Sequence, residues 1–267
     1  MSRISCRLCL GFALFLGTLF SRAGCGLISA AEGWSRPVEA GPFVCYTYGF
    51  SPSSLDNLFK QLAQLQIDLI RRLGIRPTQE QIQLLLFHDK WSYQRYFRQR
   101  LPEVPYRRAL YVKSDSHGIV MAYRSREFEL DVRHESTHAL LHAALPMVPL
   151  WLDEGLAEYF EVVPERRAFD NPHLGNLRWN LRFGKTPCLE QLEHVRELAK
   201  MGRAEYRDSW AWVHFMLHGP AEANDELVRF LADIQAGTPP GLLSRRLKRR
   251  MMNPTQAFEE HFRGWKR

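Results

Sequence analysis

His134-Glu135-Ser136-Thr137-His138, answered after the segment 139–153 by Glu154-Gly155-Leu156-Ala157-Glu158, is the stretch on which the reading of this chain turns. Apolar residues recur at helical spacing from near Leu130 to Leu145 and from Leu150 to Val162, and Pro146 and Pro149 break the first helix from the second. Four residues advance an α-helix by about 400°, so His134 and His138 project from nearly one face on adjacent turns. Two imidazoles placed in this way offer two ligands to one metal ion. Glu135, next to the first, stands where a general base reaches a zinc-bound water. A turn at the two prolines and an antiparallel return bring Glu154 toward the histidine pair. That completes a three-ligand set with a fourth position open, the pattern of catalytic rather than structural zinc.

Ordinary surface chemistry is the competing reading of Glu154 and Glu158. Trp151, Leu152, Leu156, Tyr159 and Phe160 make their helix apolar around most of its circumference, and a buried carboxylate needs a metal or a partner. His142 continues the histidine series. One straight helix moves it a further turn, roughly 6 Å along the axis, so it reads as a core or supporting histidine. Trp210, Trp212, Phe215 and Leu217 read as core.

The pairing of HESTH with WLDEGLAEYFE resembles the gluzincin metallopeptidases, a group that includes the thermolysin-like and aminopeptidase-like families. It is most similar to the exported bacterial branch of peptidase-like proteins of unknown function. The resemblance implies that His134, His138 and Glu154 bind one zinc ion and that Glu135 is the base. It further implies that Glu158, one turn beyond the third ligand, orients a ligand histidine. The resemblance runs on into Tyr206 to Leu217, similar to the helix in which aminopeptidase-like members carry a catalytic tyrosine. Tyr206 is the matching position, its phenol a donor to the oxyanion of a tetrahedral intermediate, with His214 as the alternative. The segment 139–153 is shorter than its counterpart in those members. No G-x-M-E-N motif is present, so recognition of a free amine has no support in the sequence, and endo- and exopeptidase action both stay open. Some 110 residues, from about 110 to 220, carry the resemblance.

The rest of the chain bounds the setting. With 267 residues, 45% hydrophobic and 24% charged, it suits an ordinary globular protein. Arg3 and Arg7 precede an apolar run from Leu8 to Phe20 and the small residues Ser29, Ala30 and Ala31, which reads as a signal peptide over 1–31. A cut after Ala23 is the alternative, and acylation at Cys25 is disfavoured by Arg22. The run is shorter than the roughly 20 residues of a membrane span, so no stable span is expected after cleavage. Cys45 and Cys188 remain, as one disulfide or as two buried thiols. The formal +7 falls with removal of Arg3, Arg7 and Arg22. The basic run Arg245, Arg246, Lys248, Arg249 and Arg250 is a solvated helix face or a contact for an anionic envelope polymer; no nucleic acid is expected.

These readings predict a short linker over 32–41 and one domain over 42–267. The fold class is α+β and zincin-like: a small, mostly antiparallel sheet, the active-site helix, the glutamate helix and a helical C-terminal half. An extended peptide would add to the edge strand near Ile119 to Tyr123. The expected activity is hydrolysis of a peptide or protein substrate by an exported enzyme, periplasmic, in the cell envelope or secreted. The alternative is an inactive binding or scaffold protein of the envelope that keeps the fold.

Overall fold

The computed structural model describes residues 14–15, 33–114 and 117–266. Apart from Leu14 and Phe15, the segment read as a signal peptide lies outside the described residues, including Cys25 and both candidate cuts. Leu14–Phe15 (β1) pairs with the strand Ala109–Lys113. No helix among the described residues is long and apolar enough to cross a membrane.

The protein is α+β, with the sheet in the first half and helices thereafter. Val38–Ala40 (β2), Phe43–Tyr48 (β3), Ile82–Phe87 (β4), Ala109–Lys113 (β5) and Gly118–Tyr123 (β6) lie in the order β1-β5-β6-β4-β3-β2. The sheet is mixed, which corrects the expectation of a mostly antiparallel one. β3 pairs with β4 and β4 with β6 in parallel, while β2 with β3 and β5 with β6 run antiparallel. The cause is the helix Asp56–Leu73 (α1) between β3 and β4. Parallel neighbours need such a crossover connection, whereas a tight hairpin joins only antiparallel ones.

α1 ends at Gly74, whose φ of 66° is left-handed and whose N–H donates to the Ile70 carbonyl. Asp89 caps Lys90–Arg100 (α2), accepting from the Ser92 N–H at 2.9 Å. α2 covers one face of the sheet, with Tyr93 and Phe97 packed on Leu85, Phe87, Leu110 and Met121. The other face, carrying Leu84, Leu86, Tyr111 and Val120, packs into the main core with the later helices. β4 is therefore covered on both faces, which is why Ile82 to Phe87 reads as a near-continuous apolar run. The stretch read as a linker holds β2 and a buried Trp34, packed edge-on to Phe87 at 5.0 Å.

β6 is hydrogen-bonded on both sides, so the strand read as the peptide-accepting edge is interior, and β5 lies outside it. Beyond the hairpin come Phe128–Ala144 (α3), Leu150–Phe160 (α4), Pro164–Arg167 (α5), His173–Arg182 (α6), Leu189–His194 (α7), Arg203–His218 (α8), Ala221–Gln235 (α9), Leu243–Arg250 (α10) and Pro254–Gly264 (α11).

α4 and α8 lie unusually close. A Cβ built on Gly155 would stand 2.6 Å from the Ser209 carbonyl oxygen and 2.9 Å from Val213 Cγ2. The glycine beside Glu154 thus lets one helix rest on the backbone of the other. We expect Gly155→Ala to destabilise the fold by about 1–3 kcal/mol through overpacking, seen as a lowered urea midpoint. An unchanged midpoint would show that the two helices separate freely.

Both described cysteines are free: Cys45 is buried, where burial pushes its thiol up to about 12, and Cys188 is exposed. Neither the disulfide nor the pair of buried thiols describes them. In the basic run, Arg246 pairs with Glu226 at 2.5 Å and Asp233 at 2.6 Å, Arg250 lies 3.6 Å from Glu226, and Lys248 pairs with Glu190. Much of its charge is met within the protein, and nothing here supports the envelope polymer as partner.

Candidate metal centre

α3 carries His134 and His138 one turn apart, and their rings meet edge to face with centroids 5.0 Å apart. α4 runs back against α3 and delivers Glu154. His134 Nε2 and His138 Nε2 are 3.3 Å apart, and Glu154 Oε2 is 3.7 Å from each. The centre of that triangle is about 2.1 Å from each corner, inside the about 2.0 to 2.2 Å of zinc bonds to these atoms. All three side chains are buried.

The outer nitrogens of the two rings face carboxylates. His134 Nδ1 is hydrogen-bonded to Glu161 Oε2 at 2.9 Å, and His138 Nδ1 lies 2.9 Å from Asp153 Oδ1. A ring whose Nδ1 proton faces a carboxylate turns the lone pair of Nε2 inward when neutral. Glu154 Oε2 is buried and has no hydrogen-bond partner among the described residues. Two inward lone pairs and an orphaned carboxylate oxygen within 3.7 Å repel unless a cation joins them. The donor set of two imidazoles and one carboxylate suits zinc.

Electrostatics without a cation show the same demand. Burial opposes charge on His134, but the neighbouring Glu154 and Glu161 carboxylates outweigh it and hold the imidazole well above its ordinary value. His138 is likewise opposed by burial yet lifted by Asp153 and Glu154 to about 9. Burial pushes Glu135 and Glu154 up, and lifts Glu161 to about 7 with help from the charge of Glu158. Asp153 goes the other way despite burial, held low by His138 and His142. Protons on the histidines thus offset carboxylates that share little solvent.

Glu135 is oriented from the sheet: the backbone N–H of Tyr111 in β5 donates to its Oε2 at 2.8 Å. Tyr206, in the first turn of α8, is buried among Leu198 and Met201, and its hydroxyl has no hydrogen-bond partner among the described residues. Burial and the charges of Glu154 and Glu158 push its phenol up, so it stays a protonated donor.

Glu158, the residue expected to orient a ligand histidine, is bonded to His173 at 3.1 Å, and its oxygen stands within 4.8 Å of ligand-capable atoms of His134 and Glu161. Glu161 holds His134, and sequence reasoning missed it together with Asp153. Helix geometry contained the signal. Seven residues rotate by about 700°, so Glu161 returns within about 20° of the direction of Glu154, against about 40° for Glu158. The antiparallel register then sets early Asp153 against the later histidine and late Glu161 against the earlier one. Arg133 fixes that end by donating from Nε to the Glu161 carbonyl at 2.6 Å.

His214 lies in a different cluster. Its Nε2 donates to the Ala168 carbonyl at 2.9 Å and its Nδ1 meets His261 Nε2 at 3.1 Å, so it is a satisfied core histidine with no free donor for an oxyanion. Burial drives His214 down to about 3, and His218 and His261 to about 4. Folded values below the ordinary 6.5 mean that the unfolded chain binds more protons in this window. The stability these rings contribute is full above about pH 6.5 and is lost as pH falls toward about 4. We expect the thermal midpoint of wild type to fall more steeply across that window than that of His261→Gln. Parallel curves would mean that these rings protonate without cost.

No family model matches the chain, and no curated protein matches it. Among solved structures it is similar to a mutant M1 zinc metallopeptidase from Deinococcus radiodurans, with a TM-score of 0.49 and 15% identity over 86% of this chain and 51% of that one. The same mutant enzyme bound to a Tyr-Ser-Ala substrate gives 0.45 and 15% over 86% and 50%, and the enzyme without the mutation gives 0.39 and 14% over 87% and 50%. The chain spans about half the length of these structures.

Proposed function

We propose that this chain is an exported, zinc-dependent peptidase of the gluzincin type with a zincin-like fold, acting on peptide or protein substrates. One observation carries the reading: two imidazole Nε2 atoms and an unpartnered carboxylate oxygen converge at zinc-bonding separations, each ring backed by a carboxylate. His134, His138 and Glu154 would hold the ion. When bound, zinc supplies Lewis-acid polarisation of a substrate carbonyl and acidifies water.

The remaining work falls to the chain. Glu135, steadied at Oε2 by the Tyr111 N–H, accepts a proton from the attacking water and later returns it to the leaving amine. Burial raises its affinity for protons above that of an exposed carboxylate. Tyr206 donates its hydroxyl proton in a hydrogen bond to the oxyanion, a bond that strengthens as charge develops. The same low-dielectric surroundings that leave the hydroxyl buried increase the value of that bond.

The proposal is tested by incubating a peptide library with chelated protein and with the same protein reloaded with zinc. Cleavage restored by zinc supports it. Stoichiometric zinc with no cleavage, where a control peptidase succeeds, would favour the scaffold reading. We expect Tyr206→Phe to lower kcat by roughly 10² to 10³ with KM little changed. Unaltered turnover in that variant would remove Tyr206 from the chemistry.

A further inference from the structure

Both carboxylate oxygens of Asp153 face a histidine ring nitrogen. Oδ1 lies 2.9 Å from His138 Nδ1, and Oδ2 accepts from His142 Nε2 at 2.9 Å. His134, His138 and His142 follow one another at intervals of four on α3, so the helix that presents the ligands also presents this third ring to the far side of Asp153. His142 is 12% exposed and Asp153 is 4% exposed in their side chains, so little water competes for the carboxylate. Tyr111 lies against both rings, with its plane 26° from His142 at 5.7 Å and 17° from His138 at 6.5 Å. Its backbone N–H also orients Glu135.

We infer that His142 is a positioning residue of the zinc site, acting through Asp153 to hold His138 in the rotamer and tautomer that turn Nε2 inward. The inference rests on the zinc reading above. A carboxylate held at one oxygen turns about its terminal torsion, which is broad. Held at both, it has one plane, and the Nδ1–H of His138 has one direction in which to point. His142 is too far along the helix to be a ligand, and nothing about His138 alone requires a histidine at that place. The chain therefore places the sequence His138, Asp153, His142 as a line of contacts leading from the metal position toward solvent.

The test is zinc release into excess chelator, with the zinc content of wild type measured first. His142→Phe keeps a flat ring against Tyr111 and removes the donor; His142→Ala removes the donor without adding bulk and serves if the phenylalanine variant does not fold. We expect zinc to leave either variant several-fold to about 10-fold faster, at or below the low end of the roughly 10- to 100-fold loss that follows removal of a ligand histidine's own outer partner. His142→Gln retains an N–H for Asp153 and should restore release to near the wild-type rate. Asp153→Asn should accelerate release by about 10- to 100-fold, and adding His142→Phe to it should change little further. Metal-free thermal midpoints separate this from a general loss of structure, since only the zinc-dependent rate should follow the donor. Wild-type release rates in both donorless variants, or effects of His142 and Asp153 that multiply independently, would overturn the inference while leaving the zinc site standing. Wild type that holds no zinc would overturn both.

Discussion

His138→Ala is expected to leave the protein without stoichiometric zinc. The three converging atoms form the minimum set for a catalytic zinc site, and two ligands on one carboxylate and one ring do not close it. The substitution also strips Asp153 of one of its two partners and exposes Glu154 Oε2 to a void rather than to a ring nitrogen. Elemental analysis after gel filtration should read about one zinc per chain in wild type and a background level in the variant. A second readout is linkage. Zinc free at about 100 times its Kd stabilises the native state by about 2.7 kcal/mol, so wild type should gain thermal stability on zinc addition and His138→Ala should not. Full zinc content in the variant would place the metal elsewhere.

Glu135→Gln separates chemistry from binding. Glutamine keeps the shape of the side chain and can still meet the Tyr111 N–H through its carbonyl oxygen, but it cannot take a proton. Zinc content should therefore stay at the wild-type level while peptide cleavage falls by at least about 10²-fold. Loss of zinc alongside activity would make Glu135 a structural support of the metal. Retained activity would assign the base to another group, and the other carboxylates near the rings, Asp153 and Glu161, are already held against them.

Much of this arrangement is legible in the amino-acid sequence. The HESTH spacing on one helix, the proline turn and the apolar surroundings of Glu154 suffice to bring the three candidate ligands together. β3 is marked by alternation, β4 by a near-continuous apolar run, α2 by its capping Asp89 and the end of α1 by the left-handed Gly74. What escaped had physical causes. The parallel pairing of β3 with β4 depends on a crossover around α1, a pairing between distant segments that no local pattern states. α6 carries only Leu174, Leu177 and Leu181 as buried positions amid polar residues, and α7 is too short for periodicity to speak. The carboxylates behind the rings depend on the register of α4 against α3. Spacing along one helix turns Glu158 and Glu161 both toward the side of Glu154, Glu161 by the smaller angle, but the contacts with Arg133 and His134 belong to the folded packing.

The position of zinc decides the roles of all these residues. A crystal of zinc-loaded protein, measured with X-rays on either side of the zinc absorption edge, locates the ion without reference to the surrounding density. The predicted result is one anomalous peak per chain, at about 2.0 to 2.2 Å from His134 Nε2, His138 Nε2 and Glu154 Oε2. A peak away from these atoms, or no peak in a protein that elemental analysis shows to carry one zinc, would contradict it.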